Sequence, residues 1–299
     1  MDKAGGRVVR SSMGFSRRNL VILGGAAALG ACTRKGGNSG PVSAAAPPTA
    51  LEAAIAGAWR SPQDRARDAW RHPLQSLQFW GLKGGMTVVE FWPGGGWYTD
   101  ILAPFLAGTG GGLYEANIQP TTPAAQTVVQ AFRHRIEGQP RLYGKVHFST
   151  FGPTSGPVAP ASSCDMALFL RNLHDWMRGG VAEKAFRDAF LALKPGGVLA
   201  IEEHRSPPGE VQDVLAASGY VQEAYVQQMA KEAGFQFEAA SEINANPKDD
   251  HVHPFGVWTL PPTLRTAPEG QPPDPKFDTR PYRAIGESDR MTLRFRKPK

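Results

Sequence analysis

Short apolar runs alternate with segments of helical periodicity along most of this chain. The runs are rich in β-branched and aromatic residues, which predicts buried strands. Between them, apolar positions recur three and four residues apart, and the segment 181–193 shows this best through Val181, Ala185, Phe186 and Ala189. The alternation of strand and helix from residue 87 to 243 predicts an α/β fold with a doubly wound sheet.

These periods predict seven strands and five helical segments. The strands are expected at 87–92, 113–117, 145–150, from Asp165 onward, 198–201, 235–243 and 291–295. The helical segments are expected at 51–80, 97–106, 122–137, 181–193 and 220–233. Thr122 and Pro123 are typical of a helix start, and Pro104 is expected to limit the helix that contains it. The proline-rich stretch 244–286 has neither period, which predicts a long loop insertion between the last two strands.

The first 50 residues predict an export signal followed by a tether. Two arginines at positions 17 and 18 precede an apolar run too short to span a bilayer, and this pattern looks like a twin-arginine signal. The run ends in Leu-Gly-Ala-Cys, which resembles a bacterial lipobox with Cys32 as the lipidated residue. We expect removal of residues 1–31 and a flexible tether over 32–50. The mature protein is then expected in the cell envelope or periplasm, attached to a membrane by its lipid anchor. A cleaved signal with an incidental cysteine, or a plain anchor, is the alternative.

The positive charge of the chain belongs mostly to this signal. The full sequence has 33 basic and 27 acidic side chains and a net charge of +6. Residues 1–31 hold five of the basic and one of the acidic side chains, which leaves 28 and 26. This near balance gives no argument for nucleic-acid binding. If Cys32 is acylated, Cys164 is the one remaining thiol, which excludes an intrachain disulfide.

The clearest chemical signal is the glycine turn at 94–96, between the strand 87–92 and the next helix. Three glycines remove every Cβ from the turn, so a ligand can lie against bare backbone near the free N–H groups of the helix start. A dinucleotide-binding fingerprint would need a further glycine where Thr99 stands. An ordinary strand-to-helix turn is the alternative without a ligand.

This turn resembles motif I of the class I S-adenosylmethionine (SAM) methyltransferases. Glu90 takes the acidic position of that motif, and Gly94 and Gly96 take its two later glycines. Two positions depart from the family, because Trp92 replaces the first glycine and Asn117 replaces the acid that binds the ribose. Three further segments resemble a largely uncharacterised bacterial group of predicted methyltransferases with an export or lipoprotein signal: Asn172-Leu173-His174, the turn 194–197 and the end 287–295.

The resemblance implies a Rossmann-like seven-stranded sheet over 81–298 with an antiparallel last strand, preceded by a helical segment over 51–80. It also implies SAM as the cofactor and a small molecule as the methyl acceptor. The implied contacts to the methionine part of SAM come from Glu90, Gly94, Gly95, Gly96 and Trp97, and Pro93 and Tyr98 are also expected to contact the cofactor. Asn117 would bind the ribose, and Asn172 and Leu173 would border the reacting centre.

Polar residues at the ends of two later strands are candidates for catalysis. His174 and Asp175 stand where the resemblance places the methyl acceptor, so His174 is the first candidate for a base or an orienting group. Glu203, His204 and Arg205 end the adjacent strand. His204 is a second catalytic candidate, and Arg205 could pair with an anionic substrate. A histidine bonded to backbone and a surface charge cluster are the alternatives.

The insertion 244–286 contributes a further set of candidates. We predict that His251, His253 and Trp258 face the substrate as part of a lid. Two aspartates beside the histidines would also suit a metal, but His-x-His is a weak signal and no metal is predicted. A flap that covers the edge of the sheet is the third interpretation.

Three functions therefore remain open, and SAM-dependent methyl transfer to a small molecule is favoured. A non-catalytic envelope lipoprotein that keeps the fold as a ligand-binding module would explain Trp92, Asn117 and export to a compartment with no evident SAM supply. A nucleotide- or dinucleotide-dependent oxidoreductase lacks both the glycine at Thr99 and an acid at Asn117.

Overall fold

The computed structural model describes residues 49–299. The predicted signal over 1–31, Cys32 and nearly all of the tether over 32–50 lie outside the described residues. Among the helices within 49–299, none combines the length and the apolar character needed to cross a bilayer.

One seven-stranded sheet forms the centre of the fold, in the order β3-β2-β1-β4-β5-β7-β6. Its strands are β1 (Thr87–Phe91), β2 (Gly112–Ile118), β3 (Val146–Phe151), β4 (Cys164–Leu170), β5 (Leu193–His204), β6 (Gln236–Ser241) and β7 (Arg290–Arg296). Strands β1 to β5 pair in parallel, whereas β7 runs antiparallel to both of its neighbours, β5 and β6. The predicted α/β doubly wound sheet with an antiparallel last strand is confirmed.

Helices cover both faces of this sheet. The α-helices are α1 (Ala50–Ile55), α2 (Pro62–Ala66), α3 (Asp68–Arg71), α4 (Pro73–Trp80), α5 (Thr99–Thr109), α6 (Pro123–Glu137), α7 (Pro140–Tyr143), α8 (Leu173–Arg178), α9 (Ala182–Ala192), α10 (Glu223–Glu232) and α11 (Arg280–Ile285), and a 3₁₀ turn spans Gly256–Thr259. The predicted start of α6 is confirmed, because the Thr122 hydroxyl accepts a hydrogen bond from the backbone N–H of Ala125 at 3.1 Å.

The two-residue period of the strands builds an apolar layer on each face of the sheet. Val89 and Phe91 of β1 belong to the layer that contains Trp176 of α8 and Phe186 of α9. Val88 belongs to the opposite layer, with residues of α1, α4 and α5. Because side chains alternate along a strand, Glu90 points to the same face as Val88 and lies beneath α5.

The N-terminal segment 51–80 consists of four short helices instead of one continuous amphipathic helix. Prolines explain two of the breaks, because Pro62 and Pro73 each occupy the first turn of a new helix. His72, just before Pro73, has a left-handed φ of 41° and separates α3 from α4. Leu51 of α1 is buried, whereas Trp59, in the connection between α1 and α2, is 39% exposed.

Pro104 does not limit α5 as expected, since the helix continues to Thr109. A proline removes the N–H group that would bond the carbonyl four residues earlier, which here belongs to Asp100. The indole N–H of Trp59 donates to that carbonyl at 2.8 Å. A side chain from the connection between α1 and α2 thus replaces the missing backbone donor.

Candidate functional site

The chain leaves β1 through a turn that needs left-handed backbone. Trp92, Gly94 and Gly96 have φ values of 48°, 59° and 88°. A Cβ added at Gly94 or Gly95 would meet no heavy atom within 4 Å, whereas one at Gly96 would lie 2.7 Å from the Phe132 ring. The turn is therefore open at 94–95 and packed at Gly96. The strand order reverses here between β1 and β4, and ligands of doubly wound sheets bind at such a reversal.

An apolar cavity of about 170 Å³, the Asn117 cavity, lies on one side of the turn. Its walls come from the turn, the end of β2 and α6: Trp92, Gly94, Asn117, Ile118, Val128, Val129, Phe132 and Asn172. Ile118 and Val128 are 40% and 66% exposed although they are apolar. An apolar slot that ends at a side-chain amide suits a planar ring attached to a group with hydroxyls.

A second cavity of about 380 Å³, the glycine-turn cavity, adjoins the first and shares Trp92, Gly94 and Asn172 with it. Its other walls combine the open turn with charged residues of α2 and α3: Asp64, Arg67, Arg71, Pro93, Gly95, Trp97, Leu170 and Arg171. The indole N–H of Trp97 donates to the backbone carbonyl of Asp64 at 3.0 Å. The Arg71 guanidinium lies 4.8 Å from the centre of the Trp97 ring. One acid and three arginines beside bare backbone suit a ligand with both an ammonium and a carboxylate.

The indole of Trp92 forms a wall between these two cavities and leaves both of them open. Its N–H donates to the backbone carbonyl of Phe151 at 3.0 Å. Its ring packs edge-on against Trp176, with centroids 5.8 Å apart. The Nδ2 group of Asn172 donates to the backbone carbonyls of Phe91 and Trp92 at 3.2 and 3.0 Å. These bonds hold the ring toward β3 and α8, which accommodates a large residue where the motif has glycine.

A third cavity of about 170 Å³, the His174 cavity, shares Arg71 and Arg171 with the glycine-turn cavity. Its walls come from the ends of β4 and β5, the start of β7 and the 256–263 region: His174, Asp175, His204, Val257, Trp258, Pro261, Pro262, Thr263, Glu287, Ser288 and Arg290. Each cavity thus shares lining residues with the next, and the three adjoin in a row from Asn117 to Trp258.

Two histidines face the His174 cavity, with ring centroids 5.1 Å apart. Nδ1 of His174 lies 2.8 Å from Oε1 of Glu203, a buried carboxylate that also accepts the backbone N–H groups of Leu173 at 2.6 Å and His204 at 2.9 Å. Nδ1 of His204 lies within hydrogen-bond distance of the Ser288 hydroxyl. Glu203 thus fixes the orientation of His174 and of the backbone at the start of α8 and the end of β5.

The surroundings shift the pKa values of the two imidazoles in opposite directions. Burial alone would lower the pKa of His174, but the charge and hydrogen bond of Glu203 outweigh burial and raise that pKa. Burial, and then the charges of His174 and the nearby arginines, hold the pKa of His204 well below its usual value. Burial and the neighbouring positive charges thus favour the neutral form of His204 and oppose its protonation, whereas Glu203 favours the protonated form of His174.

The carboxylate of Glu90, which is predicted to contact the cofactor, lines none of these three cavities. Glu90 is 3% exposed and accepts a hydrogen bond from the Thr99 hydroxyl at 3.1 Å, beneath α5. It pairs in register with Glu115 of β2, which is fully buried. Burial raises the pKa of Glu90 to about 7, and burial together with the charge of Glu90 raises that of Glu115 well above its usual value. The two carboxyl groups therefore form a buried pair that retains protons.

Four other predicted residues, from the turn and the strand ends, also lie outside the three cavities. Gly96 is packed as described, and Tyr98 and Leu173 are buried at 1% and 0% exposure. The Tyr98 hydroxyl donates to Glu202 at 3.2 Å. Arg205 pairs with Glu242 at 2.8 Å and with Asp289 at 2.9 Å, outside the His174 cavity. Arg205 is therefore paired with carboxylates on either side of the insertion and lines a separate cavity with His251.

The two histidines predicted to face substrate in the insertion also bind other parts of the protein. Nε2 of His253, a side chain that is 1% exposed, lies 2.8 Å from Asp249, and Nε2 of His251 lies 3.5 Å from Asp289. Asp249 further accepts the Tyr220 hydroxyl at 2.9 Å. Of the three insertion residues, Trp258 alone lines the His174 cavity.

Asp64, Arg67, Arg71, Arg171 and Arg290 were not singled out from the sequence. They lie in three separate segments, and no local pattern shows that β4 and β7 bring them beside α3. The charged run of α2 and α3 is the one signal that the sequence offers. It does not show that Arg71 is 5% exposed in the folded protein, where its charge requires a buried partner.

Comparisons with solved structures find SAM-dependent methyltransferases among proteins of similar fold. A SAM-dependent methyltransferase from Aquifex aeolicus is 19% identical, with a TM-score of 0.49 over 62% of this chain and 88% of that one. An arsenic(III) SAM methyltransferase from Chlamydomonas reinhardtii is 18% identical, with a TM-score of 0.45 over 85% of this chain and 75% of that one. The [4+2]-cyclase SpnF is 17% identical, with a TM-score of 0.47 over 81% and 83%.

No protein-family model matches the sequence, and no curated protein sequence matches it. Identities and scores this low assign no activity to the chain, so its function rests on the side chains of the site.

Proposed function

We propose that this protein binds SAM in the Asn117 and glycine-turn cavities and transfers its methyl group to a small molecule in the His174 cavity. The observation that carries the proposal is the order of the three cavities. The Asn117 cavity is an apolar slot, and the adjoining glycine-turn cavity combines bare backbone with charged residues of both signs. This order suits a ligand made of a purine, a ribose and an amino acid.

The residues present fit each part of this cofactor. Ile118, Val128 and Phe132 would enclose the adenine, and the Asn117 amide would bond the ribose hydroxyls in place of a carboxylate. Asp64 would take the ammonium, and Arg67 would take the carboxylate of the methionine part. Nη2 of Arg67 is buried and has no hydrogen-bond partner among the described residues, which is the kind of donor that an anionic ligand satisfies.

When bound, SAM would supply a methyl group on a sulfonium, which an acceptor attacks as the carbon–sulfur bond breaks. The chain's own contribution is to hold both reactants in line and to exclude water. Where the acceptor carries a hydroxyl or amine hydrogen, Nε2 of His204, which has no hydrogen-bond partner among the residues from 49 to 299, would accept its hydrogen bond. His174, held by Glu203, would orient the acceptor instead of acting as the base.

Titration calorimetry of the full-length chain with S-adenosylhomocysteine, the demethylated product, tests the cofactor site. Replacement Gly95→Leu should weaken binding at least about tenfold, because its side chain would occupy the cavity where the ligand lies against the backbone. Gly156→Leu is the matched control, since a Cβ there also meets no heavy atom within 4 Å but Gly156 lies outside the cavities.

The two variants and the wild type separate the outcomes. Equal affinity of all three for S-adenosylhomocysteine would place the ligand elsewhere and contradict the proposal. Absence of binding to the wild type would also contradict it. Binding that is lost only in Gly95→Leu supports the cofactor site, and transfer of a labelled methyl group from SAM to an acceptor then distinguishes an enzyme from a binding module.

A further inference from the structure

Buried positive charge exceeds buried negative charge between the glycine-turn and His174 cavities. Glu287 pairs with Arg67 at 2.7 Å, with Arg71 at 2.9 Å and with Arg290 at 2.6 Å. One carboxylate thus serves three guanidinium groups. Burial, and then the charges of Arg171 and the other arginines, lower the pKa of Arg71 to about 9 despite Glu287. The arginines thus add to the effect of burial, which is the main cause of the lowered pKa.

The second carboxylate of this cluster leaves part of Arg171 free. Glu202 is fully buried and lies 3.0 Å from both Nη1 of Arg171 and Nε of Arg290. The Nε–Nη2 edge of Arg171 has no hydrogen-bond acceptor among the described residues. Nη1 and Nη2 of Arg71 also have none within 49–299. Both side chains line the His174 cavity, so they bring unused donors to its wall.

Three potential metal ligands lie at or beside the same cavity, and the charge of its walls argues against a cation. Ligand atoms of His174, Glu203 and His204 lie within 4.8 Å of one another. Two carboxylates, Asp175 and Glu287, also line this cavity, but they are outnumbered by the guanidinium groups of Arg71, Arg171 and Arg290. A divalent cation would be repelled by these groups, whereas an anion would be attracted by them. The charge of the walls therefore selects an anionic ligand over a metal.

Opposite the arginines, the cavity has an apolar wall. Trp258, Pro261 and Pro262 form it, and the Trp258 ring lies edge-on to His174 with centroids 5.7 Å apart. The guanidinium groups of Arg178 and Arg265 lie 4.8 and 4.9 Å from the Trp258 ring and hold it in place. The cavity is thus suited to a molecule with a charged head and a flat apolar body.

We propose that the His174 cavity binds a small organic anion, whose carboxylate pairs with the free edges of Arg171 and Arg71 while its apolar part packs on Trp258. This rests on the proposed function in one respect, because that function makes the bound anion the methyl acceptor. Arg67, which lines the glycine-turn cavity but not the His174 cavity, leaves a separate cation for the carboxylate of the cofactor.

Calorimetric titration of the full-length chain with benzoate, and with benzamide as its neutral analogue, tests the site. We expect benzoate to bind at least about tenfold more tightly than benzamide, both alone and with saturating S-adenosylhomocysteine. Arg171→Gln should remove most of this preference. Arg187→Gln, the same charge change on the exposed face of α9, should keep the wild-type affinity for benzoate within about twofold.

The comparison of benzoate with benzamide on the wild-type protein tests the proposal even if Arg171→Gln fails to fold. Equal binding of benzoate and benzamide would overturn the proposal. Displacement of benzoate by S-adenosylhomocysteine would also overturn it, because the arginines would then serve the cofactor. Preference for benzoate in a protein that does not bind S-adenosylhomocysteine would support the anion site and contradict the proposed function, so the two failures are distinguishable.

Discussion

At the scale of single residues, Trp92 shows how a departure from a motif is accommodated. A large residue with a φ of 48° is strained by roughly 1–2 kcal/mol. The hydrogen bond to Phe151 and the contact with Trp176 offset this cost and turn the indole away from the glycine turn. The sequence shows the substitution but not these partners, so it could not reveal whether the ring blocks the cavity.

The paired carboxyl groups of Glu90 and Glu115 make stability depend on pH. Both folded-state pKa values are raised above those of the unfolded chain, so the folded protein holds extra protons and loses stability as pH rises from about 4.5 through 7. We predict that the unfolding free energy of Glu115→Gln, relative to that of the wild type, is about 1–3 kcal/mol higher at pH 8 than at pH 5. Chemical denaturation at both pH values measures this gain.

Glu137→Gln on the exposed end of α6 is the control for the Glu115 variant, and its relative stability should change by less than about 0.5 kcal/mol over the same range. A Glu115→Gln protein whose relative stability is the same at pH 5 and pH 8 would show that the pair is already ionised in the folded state.

At the scale of secondary-structure elements, the indole of Trp59 allows α5 to continue through Pro104. We predict that Trp59→Phe lowers the unfolding free energy by about 1–3 kcal/mol more than Trp70→Phe, because only the first leaves the Asp100 carbonyl without a donor. The two tryptophans are 39% and 37% exposed, so the loss of apolar contact is similar. Urea denaturation of both variants makes the comparison, and equal losses would assign no role to the hydrogen bond.

The central elements could be predicted from the sequence because their periods are local. The β-branched run of β1, the cap of α6 and the stripe of α9 each signal their own conformation. Pro104 was misleading because its compensating donor lies more than 40 residues away. The arginine cluster could not be predicted for the same reason, since Arg71 and Arg290 meet only through Glu287 in the folded sheet.

At the scale of the whole molecule, export and lipid attachment remain predictions from residues outside the described structure. Expression in a bacterium with an alkyne-labelled fatty acid tests them. We expect the wild type to be labelled and to sediment with membranes, and Cys32→Ser to lose both properties because the acylated thiol is absent. Cys164→Ser, at a buried position in β4, should retain the label. Labelling of the Cys32→Ser protein would contradict lipidation at this site.

The placement of β7 between β5 and β6 fixes the timing of folding relative to synthesis. The ribosome makes β5 and β6 first, yet their shared neighbour spans Arg290–Arg296 and is translated later. Until then, β5 presents an open edge of unpaired backbone groups, which is a site for aggregation. The nascent chain therefore completes its sheet only after translation of residue 296. A transporter that accepts only folded domains could export the protein only after β7 has paired with β5 and β6.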